Sequence, residues 1–307
     1  MCYIAFMEEF IPEQTDQTKK EKALHPELQE IVDEFDFSRL KDILAEHARG
    51  AGISEDDIYL VPPENIHGQT RSIGQYNPDI ERPSIGLSYD DIQGRANEFR
   101  VDPKLLGMRT LIHEEIHAAT DQARNREEQQ DIKQVGYHRL GTHLMRLWNE
   151  GVTERLAREV LVTYGKSIGT ISSVDLDNFI QTLNKRRESS KIYNNEVDLV
   201  DAFIIYLAQQ TGVPEETVWR AIIADQFRGA RLFTMDFVAE TSDMFPPNFM
   251  DDFTNAQNDV TVRRLKKELR QPIEETNRKP RFRQTAFGRS LLRSFEDSLS
   301  AYLQMMP

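Results

Sequence analysis

His113-Glu114-Glu115-Ile116-His117 places two imidazoles four residues apart, with a carboxylate directly after the first. On a helix, residues four apart lie one above the other on the same face, so His113 and His117 can share one metal ion. Glu114 lies about 100° round the helix from His113, beside such an ion without binding it, which is where a general base belongs. The pattern recurs by chance often enough that its surroundings decide: it needs a helix and a third ligand.

The helix is signalled upstream. Asp102 is a natural N-cap and Pro103 fits the first helical position, where its missing N–H costs nothing. From Lys104 to Arg124 the chain reads as a helix of about six turns. Leu105, Met108, Ile112, Ile116 and Ala119 mark its apolar face, and Thr110, His113, Glu114 and His117 mark another. Gly107 weakens the reading.

A catalytic zinc usually takes three protein ligands and leaves the fourth position to water or substrate. Beyond His117, Trp148-Asn149-Glu150-Gly151-Val152-Thr153-Glu154 sits in a second helical pattern, from Gly141-Thr142 to Tyr164-Gly165. Glu150 and Glu154 are again four apart, and two carboxylates on one helical face repel unless a cation is near. Gly151 inside a helix costs about 1 kcal/mol relative to Ala, which points to a close backbone approach, as two helices sharing a metal require.

These motifs carry a resemblance. H-E-x-x-H followed by Asn149-Glu150-Gly151-x-Thr153-Glu154 resembles the gluzincins, thermolysin-like zinc metallopeptidases, over roughly residues 80 to 165. The resemblance implies Zn2+ as cofactor, one ion, with Glu150 as third ligand beside His113 and His117. It also implies that Glu154 accepts a hydrogen bond from a ligand histidine, fixing its tautomer. Thermolysin-like members place a downstream histidine to stabilise the oxyanion, but the seven histidines here end at His143. A tyrosine does this in the aminopeptidase branch, so Tyr193 and Tyr206 are candidates, with Tyr137 and Tyr164 less well placed and an arginine, His138 or His143 as alternatives.

Zincin folds set a sheet beside the metal helix, its edge strand lining the substrate cleft. Ser84-Ile85-Gly86-Leu87-Ser88-Tyr89 alternates small polar with apolar residues just upstream of the metal helix, the period of a half-buried strand. Small residues at Gly86 and Ser88, flanking Leu87, would admit a peptide backbone by strand addition. The alternative is an ordinary surface hairpin strand, paired near Thr70 to Tyr76.

Other ligands stay open. Asp121, four residues after His117, is a ligand in place of Glu150 or an acceptor for a ligand histidine. One helix giving ligands at i, i+4 and i+8 spreads them about 12 Å along its axis, which favours the acceptor role. His138 and His143 are further rivals.

The remainder reads as mainly helical. Pro26 to Arg49 forms one amphipathic helix ended by Gly50 and Gly52, followed by a short strand near Ile58 to Val61. Val174 to Arg187, Glu196 to Gln210, Glu215 to Phe227, Pro247 to Arg270 and Ala286 to Met305 read as helices. The expected fold is therefore α+β and mainly helical: a zincin-like catalytic domain over residues 1–168 with an N-terminal helix, and a helical C-terminal domain over 169–307.

Composition is that of soluble globular material, with 39% hydrophobic and 29% charged residues. The lack of a long apolar run argues against a membrane span. The start lacks a basic region and a long apolar stretch, so the cytoplasm is the default, with signal-peptide-independent export or a truncated chain as alternatives. The single cysteine excludes an intramolecular disulfide, and Cys2 reads as a terminal thiol rather than a ligand that blocks the zinc. Net charge is −13, yet Arg263 to Arg293 holds eleven Arg and Lys against three Glu. That stretch suits an acidic partner or nucleic acid, although such runs more often form a solvated face.

The expectation is zinc-dependent hydrolysis of a peptide or protein substrate, as an endopeptidase rather than an exopeptidase, with Glu114 as general base. The alternatives are a non-catalytic metal-binding or structural protein of a phage, toxin or secretion apparatus, and a repressor-cleaving regulatory metalloprotease.

Overall fold

In the computed structural model, residues 22–70, 72–79, 82–121, 134–139, 145–169, 171–185, 193–228, 245 and 248–270 are described. In chain order they form α1 (Pro26–Glu34), α2 (Phe37–Ala48), β1 (Ile66–Gly68), β2 (Gly74–Asn77), β3 (Ser84–Leu87), α3 (Tyr89–Phe99) and α4 (Pro103–Ala119). Then come β4 (Gln134–Val135), β5 (His138–Arg139), α5 (Arg146–Ile168), α6 (Ser173–Lys185), α7 (Asn194–Thr211), α8 (Glu215–Arg228), α9 (Phe249–Thr254) and α10 (Asp259–Leu269). Among the described residues the architecture is mainly helical, with a small three-stranded sheet and a two-stranded hairpin, in keeping with the α+β, mainly helical expectation.

α4, the histidine-bearing helix, starts where Asp102 and Pro103 place it. The Asp102 carboxylate accepts from the N–H groups of Lys104 at 2.7 Å and Leu105 at 3.3 Å. Every residue from Leu105 to Ala119 is buried, so the two faces expected of this helix are both interior. α4 ends earlier than Arg124 would require. Thr120 turns its hydroxyl back onto the Ile116 carbonyl at 2.9 Å, and Asp121 leaves the helix to bridge Val135.

α5 begins at Arg146 rather than near Gly141, after Met145 in a left-handed conformation, and runs to a left-handed Gly169. It passes through the centre of the molecule, packing on α4 and on α7. Gly151 is required there, but by α7: an ideal Cβ would lie 2.7 Å from the Glu196 carbonyl oxygen. The close backbone approach was expected of the metal helix and comes instead from the neighbour opposite. Gly151→Ala therefore loses about 1–3 kcal/mol of stability by overpacking, although Ala is the better helix former. Denaturant unfolding of the two proteins measures it, and a gain in stability would contradict the packing.

The sheet has order β1-β3-β2, with β1 parallel to β3 and β2 antiparallel to it. Lys22 bridges Gly68 on the outer side of β1, leaving β2 at the opposite margin. The segment expected to be the edge strand is thus the central one, and its residues are committed elsewhere. Gly86 lies under the Gln69 side chain, Leu87 is 1% exposed in the core, and Ser88 caps α3 by accepting from Asp91 N–H at 3.3 Å. The pairing near Thr70 to Tyr76 is present, through Gly74–Asn77, although β3 is wholly buried rather than a surface strand. Serine and glycine are small enough to be covered on both faces, so the alternation did not mark a solvent side.

Three further expectations change. Pro26 to Arg49 is two helices, because the Asp36 side chain accepts from Arg39 N–H at 2.9 Å and starts α2 afresh, while Asp36 N–H donates to the Tyr164 hydroxyl at 2.7 Å. No strand forms at Ile58 to Val61, where Val61 N–H donates to the Glu115 carboxylate at 2.9 Å instead of to a neighbouring strand. Pro247 to Arg270 divides into α9 and α10, the second capped by Asn258. The helix read over Ala286 to Met305 lies outside the described residues. α6, α7 and α8 follow their expected spans closely.

Buried apolar residues from Leu28 to Leu269 form one core, which α5 and α7 share across the expected domain boundary near residue 168. In the described part of the basic stretch, Lys266 pairs with Asp198 at 3.0 Å and Arg264 with Asp252 at 2.8 Å. Residues 271–293 lie outside the description. Among the described residues, no helix is long and apolar enough to cross a membrane.

Candidate metal centre

α4 and α5 face each other with two rows of side chains at four-residue intervals. Arg109, His113 and His117 form one row, and Arg158, Glu154 and Glu150 form the other, running in the opposite sense. The contacts between these two helices follow from that register.

The ligand atoms of His113, His117 and Glu150 all lie within 4.8 Å of one another, the group among the described residues that could hold a metal ion. His113 Nε2 is 3.2 Å from His117 Nε2, and the Glu150 Oε2 atom is 3.3 Å and 3.6 Å from these two nitrogens. Nitrogen and oxygen ligands about 2.0–2.2 Å from one zinc in a tetrahedron stand roughly 3.3–3.5 Å apart, so the spacing fits that ion. The donor chemistry fits as well. His113 Nδ1 is 3.2 Å from the Glu154 carboxylate, which fixes the proton on Nδ1 and leaves a lone pair at Nε2 aimed at the common point.

Electrostatics sharpen this. Burial pushes His113 down to about 3, against a raising contribution from Glu150, so it is a neutral donor at neutral pH. Burial also raises Glu150, but the imidazoles of His117 and His113 outweigh it and hold the carboxyl well below its usual range. His117 moves up: burial lowers it, and Glu150 and Glu114 more than compensate. Glu150 keeps 16% of its side-chain surface exposed while His113 keeps 2%, so the group opens to solvent past the carboxylate.

Glu114 lies alongside. Its Oε2 accepts from Tyr76 N–H, on β2, at 2.8 Å. Gly74 on the same strand lets the carboxylate in, since an ideal Cβ there would be 2.6 Å from Glu114 Oε1. Burial pushes Glu114 up to about 7, with Glu150 adding to the shift and His117 opposing it. Glu115 turns the other way. It is fully buried, anchors Val61 N–H, and is raised well above the carboxylate range by burial, so of the two adjacent glutamates only Glu114 belongs to the site.

The expected surrounding residues separate cleanly. Glu154 meets His113 as anticipated. Asp121 does not join the ligands; beyond the helix end its carboxylate accepts the Tyr76 hydroxyl at 2.7 Å, so it steadies the strand that holds Glu114. Tyr193 stacks on His113, with ring centroids 5.4 Å apart and planes 8° apart, and bonds Glu150 through its hydroxyl. Its φ of +54° is a left-handed conformation that costs a residue with a Cβ about 1–2 kcal/mol. Glu150 first, then burial, raises its hydroxyl well above the usual range.

Tyr206 is elsewhere, stacked on Phe245 at 5.4 Å in an aromatic cluster. His138 lies in the β4–β5 hairpin, outside the converging group. His143 lies outside the described residues. Tyr137 and Tyr164 are anchored away from the centre, on the Ile222 carbonyl and the Asp36 N–H.

Four contributors were not foreseen: Gly74 and Tyr76 on β2, and Arg109 and Arg158. Arg109 Nε donates to Glu154 Oε1 at 3.1 Å, and Arg158 Nε donates to the same oxygen at 2.7 Å. Burial lowers these guanidinium groups to about 9 and about 10, so both stay charged at neutral pH. Their signal was present, as the i−4 neighbour of His113 and the i+4 neighbour of Glu154. Asn149, quoted only as part of the motif, lays its amide 3.4 Å from His117 Nδ1 and accepts from Tyr137 N–H at 2.8 Å.

Comparison with protein-family models, with curated proteins and with solved structures found no match for this chain.

Proposed function

We propose that the chain is a zinc-dependent peptidase of gluzincin type, acting on peptide or protein substrates. The observation that carries the reading is the convergence of His113, His117 and Glu150 on one point with the Glu114 carboxylate held beside it. Among the described residues three protein ligands converge, which is the pattern of a catalytic zinc site rather than the four of a structural one. His113 Nε2, His117 Nε2 and Glu150 would hold the ion. When bound, zinc supplies a Lewis acid that polarises a carbonyl and lowers the pKa of water towards 7.

The chain's own groups do the rest. Glu114, fixed through Oε2 by the Tyr76 N–H, receives the proton of the attacking water on its free oxygen and returns it to the leaving amine nitrogen. Tyr193 lies beside the centre, and its neutral hydroxyl, which bonds Glu150 in the structure, would donate to a developing oxyanion by turning from that carboxylate. The margin of the sheet next to Glu114 is β2, which takes over the strand-addition role first read into Gly86 to Ser88. Glu154 keeps His113 in the tautomer that binds metal.

Digestion of a peptide library with the zinc-loaded chain, with and without a chelator, tests the proposal. Cleavage that the chelator abolishes and added zinc restores is expected. A fully zinc-loaded chain that cleaves nothing would favour the non-catalytic metal-binding alternative.

A further inference from the structure

Arg109 and Arg158 are 2% and 6% exposed, and both bind Glu154, which is 0% exposed. Two buried guanidinium groups share this one carboxylate beside the converging group, with Asp201 and Asp198 adding their negative field at Arg158. Even a matched buried ion pair is weak evidence for stability, because desolvation offsets the attraction. Two arginines gathered on one buried carboxylate therefore call for a purpose other than stability.

The geometry supplies that purpose. Arg109 Nε and Arg158 Nε both donate to Glu154 Oε1, at 3.1 Å and 2.7 Å. Arg109 Nη2 also pairs with Oε2, the oxygen that stands 3.2 Å from His113 Nδ1. Arg109 thus meets both oxygens of the carboxylate and Arg158 takes Oε1 as well, which fixes the carboxylate plane with Oε2 turned to His113 Nδ1. Arg158 is itself tied down. Its Nη1 donates to Asn184 Oδ1 on α6 at 2.8 Å, and its Nη2 to Asn194 Oδ1 on α7 at 2.6 Å. Asn194 directly follows Tyr193 and donates to the Leu183 carbonyl at 2.9 Å. One planar guanidinium thus links α5, α6 and α7 to the acceptor of a metal ligand, a task for a rigid fork of donors rather than a point charge.

We propose that Arg109 and Arg158 are positioning residues of the metal centre, clamping Glu154 so that His113 presents Nε2 at the point shared with His117 and Glu150. This rests on the metal-site reading above. Loss of groups that orient a metal ligand typically costs about tenfold to a hundredfold in metal affinity.

The test measures zinc dissociation constants of the full chain by chelator competition for wild type, Arg158→Met, Glu154→Gln and the double variant. Thermal melts of the zinc-free proteins report folding, and Co2+ substitution reports ligand geometry through its visible spectrum. Arg158→Met is expected to bind zinc about tenfold or more weakly, with altered Co2+ bands at saturation. In the Glu154→Gln background the same change is expected to cost less than about twofold, because the arginine acts through Glu154. A folded Arg158→Met chain with wild-type affinity and spectrum, or losses that multiply in the double variant, would overturn the proposal. If Arg158→Met does not fold, Arg158→Lys keeps the charge and removes the fork, and unchanged zinc affinity there overturns it equally. Wild type that binds no zinc defeats the metal-site reading itself, a result distinct from wild type and variants binding alike.

Discussion

Glu114→Gln is expected to keep a full zinc complement and to lose peptide hydrolysis by about 10²–10⁴-fold, the usual contribution of a positioned general base. The substitution is isosteric, and the amide oxygen can still accept from Tyr76 N–H, which the carboxylate accepts at 2.8 Å. No ligand atom is removed, since the converging group is His113, His117 and Glu150. Stability should not fall. Burial pushes the Glu114 carboxyl up to about 7, so the folded chain disfavours the charge that glutamine lacks. What disappears is the capacity to take a proton. Zinc content and cleavage rate, measured on the same preparation, check both halves. Cleavage at the wild-type rate by the variant would mean that Glu114 is not the base.

Glu150→Ala is expected to weaken zinc binding by about two to three orders of magnitude. That figure follows from dividing the roughly 10–16 kcal/mol of a four-ligand zinc site evenly among its ligands. The variant should fold, because Glu150 keeps 16% of its side chain exposed and its polar contacts are with the site itself. Chelator competition gives the affinity. An unchanged zinc complement would pass the third-ligand role to His143, since His138 lies outside the converging group and the Asp121 carboxylate is engaged by the Tyr76 hydroxyl.

Much of this centre is legible in the sequence because its information is periodic. Four-residue spacing puts His113 over His117 and Glu150 over Glu154 whatever the rest of the chain does, and a helix needs only local signals such as Asp102-Pro103 to form. The strand order is not periodic information. Ser84–Leu87 becomes central because Ile66–Gly68 arrives parallel on its other side, a pairing set by contacts distant in sequence. Gly151 does mark a point of close approach, but a glycine does not name its neighbour, and that neighbour is Glu196. Asp121 was placed by extending the helical period past Thr120, whose side chain hydrogen-bonds back to the Ile116 carbonyl where the helix stops. Arg109 and Arg158 continue both rows, yet nothing in the sequence marks them as buried, because arginine is mostly an exposed residue.

We propose that His113, His117 and Glu150 together bind one metal ion. The most direct measurement is a zinc titration of the metal-free wild-type chain beside His113→Ala and His117→Ala. One tightly bound ion per chain in wild type, and loss of tight binding in each variant, is the predicted result. Absence of saturable zinc binding in the folded wild type, or a full complement retained by both variants, would contradict it.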